Sequence, residues 1–467
     1  MYGEAFTRLR GLDASFLHHE VAAAGLAIGG YFVVDGEPPT IEEFRRRIAR
    51  RLDNTPRFHQ RLREAPYPGG RACWVDDAHF NIDYHVRHVA LPPPGDPVTL
   101  WRFVAQTFGE RLDRSKPLWE TYLVEGVDGN AFAMLLKCHH ALADGMANVA
   151  LGSLLFDIDG TASNGRSRVR WSPRPEPSPA EVTRDAAKGA VELSIRAMRA
   201  TVDAAQHPLR TSERLRDIGG TLGELGRVAF TPAPETPFNA SIGAGRHYAV
   251  ITVDLAEVKA ARRAFDATVN DVVLTLAAGG LADLLLERGI EVAGLELVAS
   301  VPVSIRNGSA TNAGNQVLTL RARLPVDVDD PALRLEMIKR EMARVKRSPQ
   351  AAVVGRLESA IDAVPDFLLG PLARLSFSPR IFNVLVTNLP GPQFPLTVHG
   401  RPVRHMMPVP FLMRRQGIAI AVLSYNGELS FGVLGDPAIA PDLQPVIDGI
   451  RRSLDILAAA RADAALT

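Results

Sequence analysis

Two adjacent histidines stand in the stretch LLKCHHALADG, Leu135 to Gly145, with three residues between them and the pair Asp144-Gly145. A neutral imidazole, with an ordinary pKa near ~6.5, can accept a hydroxyl proton at physiological pH. The oxygen so freed can attack an activated acyl carbon directly, without a serine or cysteine nucleophile. No G-x-S-x-G elbow, G-x-x-x-x-G-K-[ST] loop or Cys-x-x-Cys pair occurs in the chain, which fits such a direct transfer. A metal site prefers two histidines at i, i+2 on a strand or at i, i+4 on a helix. Adjacent histidines match neither spacing, so no metal ligand set is nominated.

The elements around the pair must place them. AFAMLLKCHH reads as a strand, on which Phe132, Met134, Leu136, Cys138 and His140 share one face and Lys137 and His139 the other. The two imidazoles should therefore diverge. Asp144 precedes a helix expected to start near Met146, where its carboxylate can cap free amides for about 1 kcal/mol. Gly145 keeps the turn tight and lets backbone approach closely. A quieter reading exists, with one core histidine and one hydrogen-bonded one. The complete His-His-x-x-x-Asp-Gly pattern, at a strand end and ahead of a helix, favours chemistry. Cys138 is set aside as a nucleophile because the histidine beside it points to the other face.

The bulk numbers set limits. A chain of 467 residues exceeds one hydrophobic core, so two domains are the default. Net charge of +1 argues against a nucleic-acid binder. Two cysteines, Cys73 and Cys138, are too few for a disulfide framework and suit a reducing cytoplasm. The N-terminal stretch has no apolar signal core. Ala267 to Glu287 is the most apolar long segment, but it carries Asn270, Asp271 and Asp283 and reads as a buried helix. Peripheral membrane contact stays open, since it needs only a surface patch.

Strand and helix patterns alternate in both halves, so the class is α/β. GLAIGGYFVVDG is a strand ending in an Asp-Gly turn. TIEEFRRRIARRL opens with a Thr-x-x-Glu capping box, NIDYHVRHVAL alternates like a strand, and TLWRFVAQTFGERL is helical. A further helix is expected in MANVALGSLLFD. Residues 159–237 are Pro-, Ser-, Gly- and Arg-rich at first. They then hold two surface helices, RDAAKGAVELSIRAMRATVDAAQ and TSERLRDIGGTLGELGRV. SYNGELSF is the clearest hairpin, with Asn426-Gly427 between alternating strands. The division expected is 1–158 with the histidine motif, 159–237 as linker, and 238–467.

HHALADG resembles the His-His-x-x-x-Asp-Gly signature of the CoA-dependent acyltransferase superfamily, which includes chloramphenicol acetyltransferase and the condensation domains of peptide synthetases. LDASFLHHE (12–20), KPLWE (116–120), TPFN (236–239), TVNDVVL (268–274), VPVSIR (301–306), GNQV (314–317) and TNLPGP (387–392) resemble, in order and over nearly the whole chain, the bacterial wax ester synthase/diacylglycerol acyltransferase family. The plant-type DFGWG motif of related acyltransferases is absent.

The resemblance implies two chloramphenicol-acetyltransferase-like domains forming a pseudo-dimer, joined by a helical linker, with the active site in a tunnel between them. It implies His140 as general base, with His139 the less suited of the two, and a structural Asp144 paired with an arginine, for which Arg57 and Arg61 are nominated. Pro117 and Trp119 are candidates for shaping the acyl channel, though both also read as a packed turn. Asn270 and Asp271 either position groups near the site or simply start a helix. Ser304 and Arg306 are candidates for facing CoA. The Gly145 amide and Asn270 are the candidate oxyanion donors. Acyl-CoA would be a co-substrate, with no cofactor and no metal. The acceptor would be a diacylglycerol or long-chain alcohol, met in the cytoplasm or at the inner membrane face or a lipid droplet. Two rivals are a condensation enzyme using a carrier-protein thioester and a catalytically silent lipid-binding protein on the same fold.

Overall fold

A computed structural model describes residues 6–21, 23–66, 70–142, 152, 154–157, 171–206, 232–304, 317–348 and 381–464. The first half runs β1 (Phe6–Arg8), α1 (Gly11–His19), β2 (Ala27–Asp35), α2 (Ile41–Leu52), β3 (Gln60–Arg63), β4 (Cys73–Asp76), α3 (Ile82–His85), β5 (Val86–Ala90), α4 (Pro97–Gly109), β6 (Trp119–Val127) and β7 (Ala131–His139). After helix α5 (Pro179–Gln206) come β8 (His247–Asp254), α6 (Leu255–Ala264), α7 (Val269–Glu287), β9 (Glu296–Ser304), β10 (Val317–Pro325) and α8 (Pro331–Arg347). The chain closes with β11 (Val384–Pro390), β12 (Thr397–Val398), β13 (Arg401–Val409), β14 (Ile418–Tyr425), β15 (Glu428–Gly435) and α9 (Gln444–Ala464).

Local signals explain most of these elements. The Thr40 hydroxyl accepts the Glu43 amide proton while Glu43 accepts the Thr40 N–H, so α2 begins with two otherwise free amides satisfied. Phe44, Ile48 and Leu52 then line its buried face. Asn426 and Gly427 both have positive φ, 43° and 90°, which is the two-residue hairpin turn their sequence predicts between β14 and β15. NIDYHVRHVAL departs from expectation. The Asn81 side chain accepts the Asp83 N–H at 2.9 Å and draws residues 82–85 into the helical turn α3, so the strand begins only at Val86. The helices expected over MANVALGSLLFD and TSERLRDIGGTLGELGRV lie largely or wholly outside the described residues.

Two six-stranded sheets organise the molecule. The first has the order β12-β13-β2-β7-β6-β5, the second β10-β9-β11-β14-β15-β8. The first sheet thus takes two of its strands from residues 397–409, far along the chain. β13 lies antiparallel on β2, with Met407 opposite Tyr31. It also touches the other sheet: a Cβ at Gly432 of β15 would fall 1.9 Å from the Pro408 carbonyl oxygen, and the Tyr248 hydroxyl donates to that same oxygen at 2.8 Å. Within β2 itself, a Cβ at Gly29 would fall 1.9 Å from the Leu136 carbonyl oxygen. Two hydrophobic cores follow. One surrounds the β12–β5 sheet and takes in Tyr248, Val250, Val298, Leu385 and Leu434 of the other sheet. The second joins that other sheet to α6, α7, α8 and α9, and Trp101 and Ile242 pack against both. α7 is long and apolar enough to cross a membrane, but 78% of its most apolar window is buried inside the molecule. It is the central helix of the second core.

Candidate active site

β7 ends at His139, and His140 opens a short 3-10 turn, His140–Leu142. The strand alternation therefore stops one residue earlier than its sequence suggests. His140 N–H donates to the Leu26 carbonyl at 2.9 Å, which fixes the turn against the segment entering β2. The His140 ring stacks on Phe16 of α1, with centroids 3.9 Å apart, and meets the edge of Phe411 at 5.4 Å. Phe16 comes from the first helix and Phe411 from just beyond β13, so the imidazole sits where remote parts of the chain converge. It lies deep yet keeps some accessible surface. Burial pushes its pKa down to about 4, opposed only by its own main-chain carbonyl. At neutral pH it is an uncharged base. Its Nδ1 is sealed and makes no fully formed hydrogen bond, which leaves Nε2 as the nitrogen free to meet a substrate.

His139 is a different case. It is 1% exposed, and its Nδ1 accepts the Ala141 N–H at 3.0 Å. The proton of the neutral ring is thereby assigned to Nε2, which faces Glu20 Oε1 at 3.8 Å. Arg114 clamps the other Glu20 oxygen at 2.6 Å and donates to the Leu17 carbonyl at 2.9 Å. Burial, then Arg114 and His140, push the His139 pKa down to about 3. Its interactions hold the turn that carries His140. On the same face, the buried Lys137 ammonium donates to the Thr107 and Glu110 carbonyls at 2.7 and 2.9 Å, tying the end of α4 to β7. Lys137 thus finds carbonyl partners at a helix end, as buried polar groups tend to, while His139 braces its own turn through Nδ1 and leaves Nε2 without a hydrogen bond. Cys138 is sealed, and burial pushes its thiol up to about 12. That suits the reading that it is no nucleophile.

The remaining candidates scatter. Trp119 is buried in the first core, its Nε1 donating to the Phe58 carbonyl at 2.8 Å and its ring stacked on His85 at 4.6 Å. Pro117 is buried beside it, its carbonyl taking the Trp119 N–H at 2.9 Å. Asp271 completes a capping box with Thr268 at the start of α7, as in α2, and is buried. Asn270, next to it, is joined to Asn388 of the TNLPGP stretch by a 3.5 Å side-chain contact. Two separated motifs thus meet at the end of β11. Ser304 ends β9 opposite Val317. Asp144, Gly145 and Arg306 lie outside the described residues, and with them the arginine pairing of Asp144. Of the two arginines nominated, Arg61 binds Glu176 at 2.8 Å and Arg57 lies 5.0 Å over the Trp74 ring. Sequence reasoning had not singled out Phe16, Glu20, Arg114 or Phe411. The first two lie inside the quoted LDASFLHHE stretch; Phe411 carries no local signal at all.

Two six-stranded sheets, one of them completed by β12 and β13 from the second half of the chain, with a neutral histidine held between Phe16 and Phe411, match the two-domain, chloramphenicol-acetyltransferase-like class of acyltransferases. The comparisons agree with that class and narrow it. The wax ester synthase/diacylglycerol acyltransferase catalytic domain matches residues 9–273, and the C-terminal domain of the same family matches residues 313–458. The chain belongs to the wax ester synthase/diacylglycerol acyltransferase family. The probable diacylglycerol O-acyltransferase tgs1 of Mycobacterium tuberculosis is 32% identical, over 96% of this chain and 95% of that protein. The solved wax ester synthase/diacylglycerol acyltransferase of Marinobacter aquaeolei VT8 is 25% identical with a TM-score of 0.68, covering 98% of this chain and all of that one. The starter condensation domain of rhizomide synthetase, solved with C8-CoA, shares the fold at 13% identity and a TM-score of 0.57, over 98% and 95% of the two chains.

Proposed function

We propose that the protein moves a long-chain acyl group from acyl-CoA to the hydroxyl of a diacylglycerol or a long-chain alcohol, with His140 as general base. The observation that carries the mechanism is the partly accessible, uncharged His140 ring clamped between Phe16 and Phe411. Nε2 takes the hydroxyl proton as the oxygen attacks the thioester carbonyl. The tetrahedral oxyanion then collapses, the C–S bond breaks, and the imidazolium returns the proton to the CoA sulfur. His139, held by the Ala141 amide at Nδ1, positions the turn. No cofactor enters this scheme. The acceptors are lipids, so the enzyme works in the cytoplasm at the inner membrane face or at a lipid droplet.

The test offers purified protein a long-chain acyl-CoA with a panel of diacylglycerols, long-chain alcohols and amines, and separately an acyl-carrier protein, with products read by mass. Esters from acyl-CoA and hydroxyl acceptors are expected. Products from the carrier-bound donor and amines alone would make it a condensation enzyme, and no product from any donor a silent lipid binder. His140→Ala should lower kcat by at least ~10²-fold while the fold persists; turnover near that of the unaltered protein would remove the proposed base.

A further inference from the structure

Helix α5 carries the densest group of exposed apolar side chains in the described molecule. Val191, Ile195, Met198 and Val202 are 57%, 38%, 62% and 50% exposed, four of the ten large hydrophobic residues found exposed. At ~100° per residue, these four fall within roughly 60° of arc. Over its first turns the helix is seated on the protein by a side that lies about 110° to 170° from the stripe. There Val182 is buried, Asp185 bonds Arg8 at 2.7 Å, and a Cβ at Gly189 would touch the Arg8 guanidinium at 3.4 Å. The stripe therefore points away from the body. Exposed Arg184, Lys188 and Arg199 lie along it or within about 80° of it by the same periodicity. The nearby acid Glu181 is engaged by the Ser178 N–H and hydroxyl at 2.7 and 2.8 Å. Asp203 projects on the side of Asp185.

An apolar stripe that faces outward and is flanked by cations has the makeup of a helix lying in a lipid interface. The apolar side chains enter the boundary between headgroup and acyl chains, and the long basic side chains reach the headgroups above. The stripe holds no aromatic anchor, and beside it on the described face the cations Arg184, Lys188 and Arg199 outnumber the one acid, Glu181, which lies at the helix start on the azimuth of Arg199. A second copy of the same face would bring those cations together.

We propose that α5 docks the enzyme on an anionic phospholipid surface, with Val191, Ile195, Met198 and Val202 inserted and Arg184, Lys188 and Arg199 on the lipid phosphates. The inference rests on the reading of the protein as an enzyme with lipid acceptors, for which such docking brings the site to its substrate. Cosedimentation of the full chain with phosphatidylglycerol–phosphatidylcholine vesicles tests it, against pure phosphatidylcholine. Binding to the anionic vesicles is expected to weaken in high salt. The double substitution Val191→Asp with Met198→Asp should cut the bound fraction at least ~10-fold. Lys188→Glu with Arg199→Glu, a change confined to exposed side chains, should do the same on anionic vesicles.

Turnover of dispersed acyl-CoA with a water-soluble alcohol should be unchanged in both variants. If the unaltered chain binds vesicles but transfers no acyl group, the enzymatic reading fails and the docking stands. Vesicle binding that either variant retains in full overturns the docking, as does failure of the unaltered chain to bind. Loss of self-association in the aspartate variant, with vesicle binding intact, assigns the stripe to a second copy instead.

Discussion

His140 and His139 are neighbours with the same side chain and different surroundings. His139 is closed on all sides, with Nδ1 committed to the Ala141 amide. His140 has aromatic rings on its face and edge and keeps one nitrogen free. Burial without a carboxylate partner disfavours its charged form, so the ring stays neutral well below pH 7. The consequence for rate is specific. Acyl transfer should be flat from neutral pH down to about pH 5 and fall as the imidazole is protonated near its pKa of about 4. An initial-rate profile that drops already between pH 7 and 6, and recovers on return to pH 7, would show that burial does not hold the pKa of the catalytic base down near 4.

At the scale of elements, the site depends on how close β2 and β7 lie. His140 hangs from Leu26 just ahead of β2, and the strands are in register from Ala27–His139 to Asp35–Ala131. Gly29 has no room for a side chain, since its Cβ position is 1.9 Å from the Leu136 carbonyl oxygen. Gly29→Ala must therefore force the strands apart or break the ladder, at a cost of order 1–3 kcal/mol or more. A fall of several degrees in thermal midpoint is expected, with a loss of turnover out of proportion to it. A variant with an unaltered melting curve and full activity would show that the backbone accommodates the methyl. The capping boxes, the Asn-Gly hairpin and the helical stripes were all legible in the sequence, because each is a pattern over a few neighbouring residues. NIDYH was misread because a single Asn81 side chain redirected the backbone. The end of β7 was misplaced by one residue because alternation alone carries no stop signal.

At the scale of the whole molecule, burial holds His59, His85, His139 and His140, among the described residues, in neutral form. Burial lowers the pKa of His59, His85 and His140 to about 4 and that of His139 to about 3. Above pH 6.5 neither folded nor unfolded chain holds these protons. As pH falls from about 6.5 towards 4, the unfolded chain binds protons that the native state refuses, and stability declines. Below the native pKa values this contribution levels off. Denaturant midpoints measured from pH 7.5 to pH 4.5 should fall steadily below pH 6.5; a midpoint constant across that window would mean that these histidines titrate normally in the folded protein. His59 also shows why the linker matters. Its ring stacks on Trp171 at 4.0 Å, and Arg174 binds Asp76 at 3.0 Å, so the chain beyond the first sheet is folded back onto it.

The sequence alone determined the α/β class, the family, the histidine motif and most of the element types among the described residues, since these are written in local periodicity, caps and short motifs. The tertiary structure decided the rest. It sent residues 397–409 back into the first sheet, brought Phe411 against His140 and Asn388 against Asn270, and closed Glu20 and Arg114 around His139. Those contacts join residues up to some hundreds of positions apart. No local pattern encodes them, because each is settled by how two hydrophobic cores pack against one another and not by any segment's own preference.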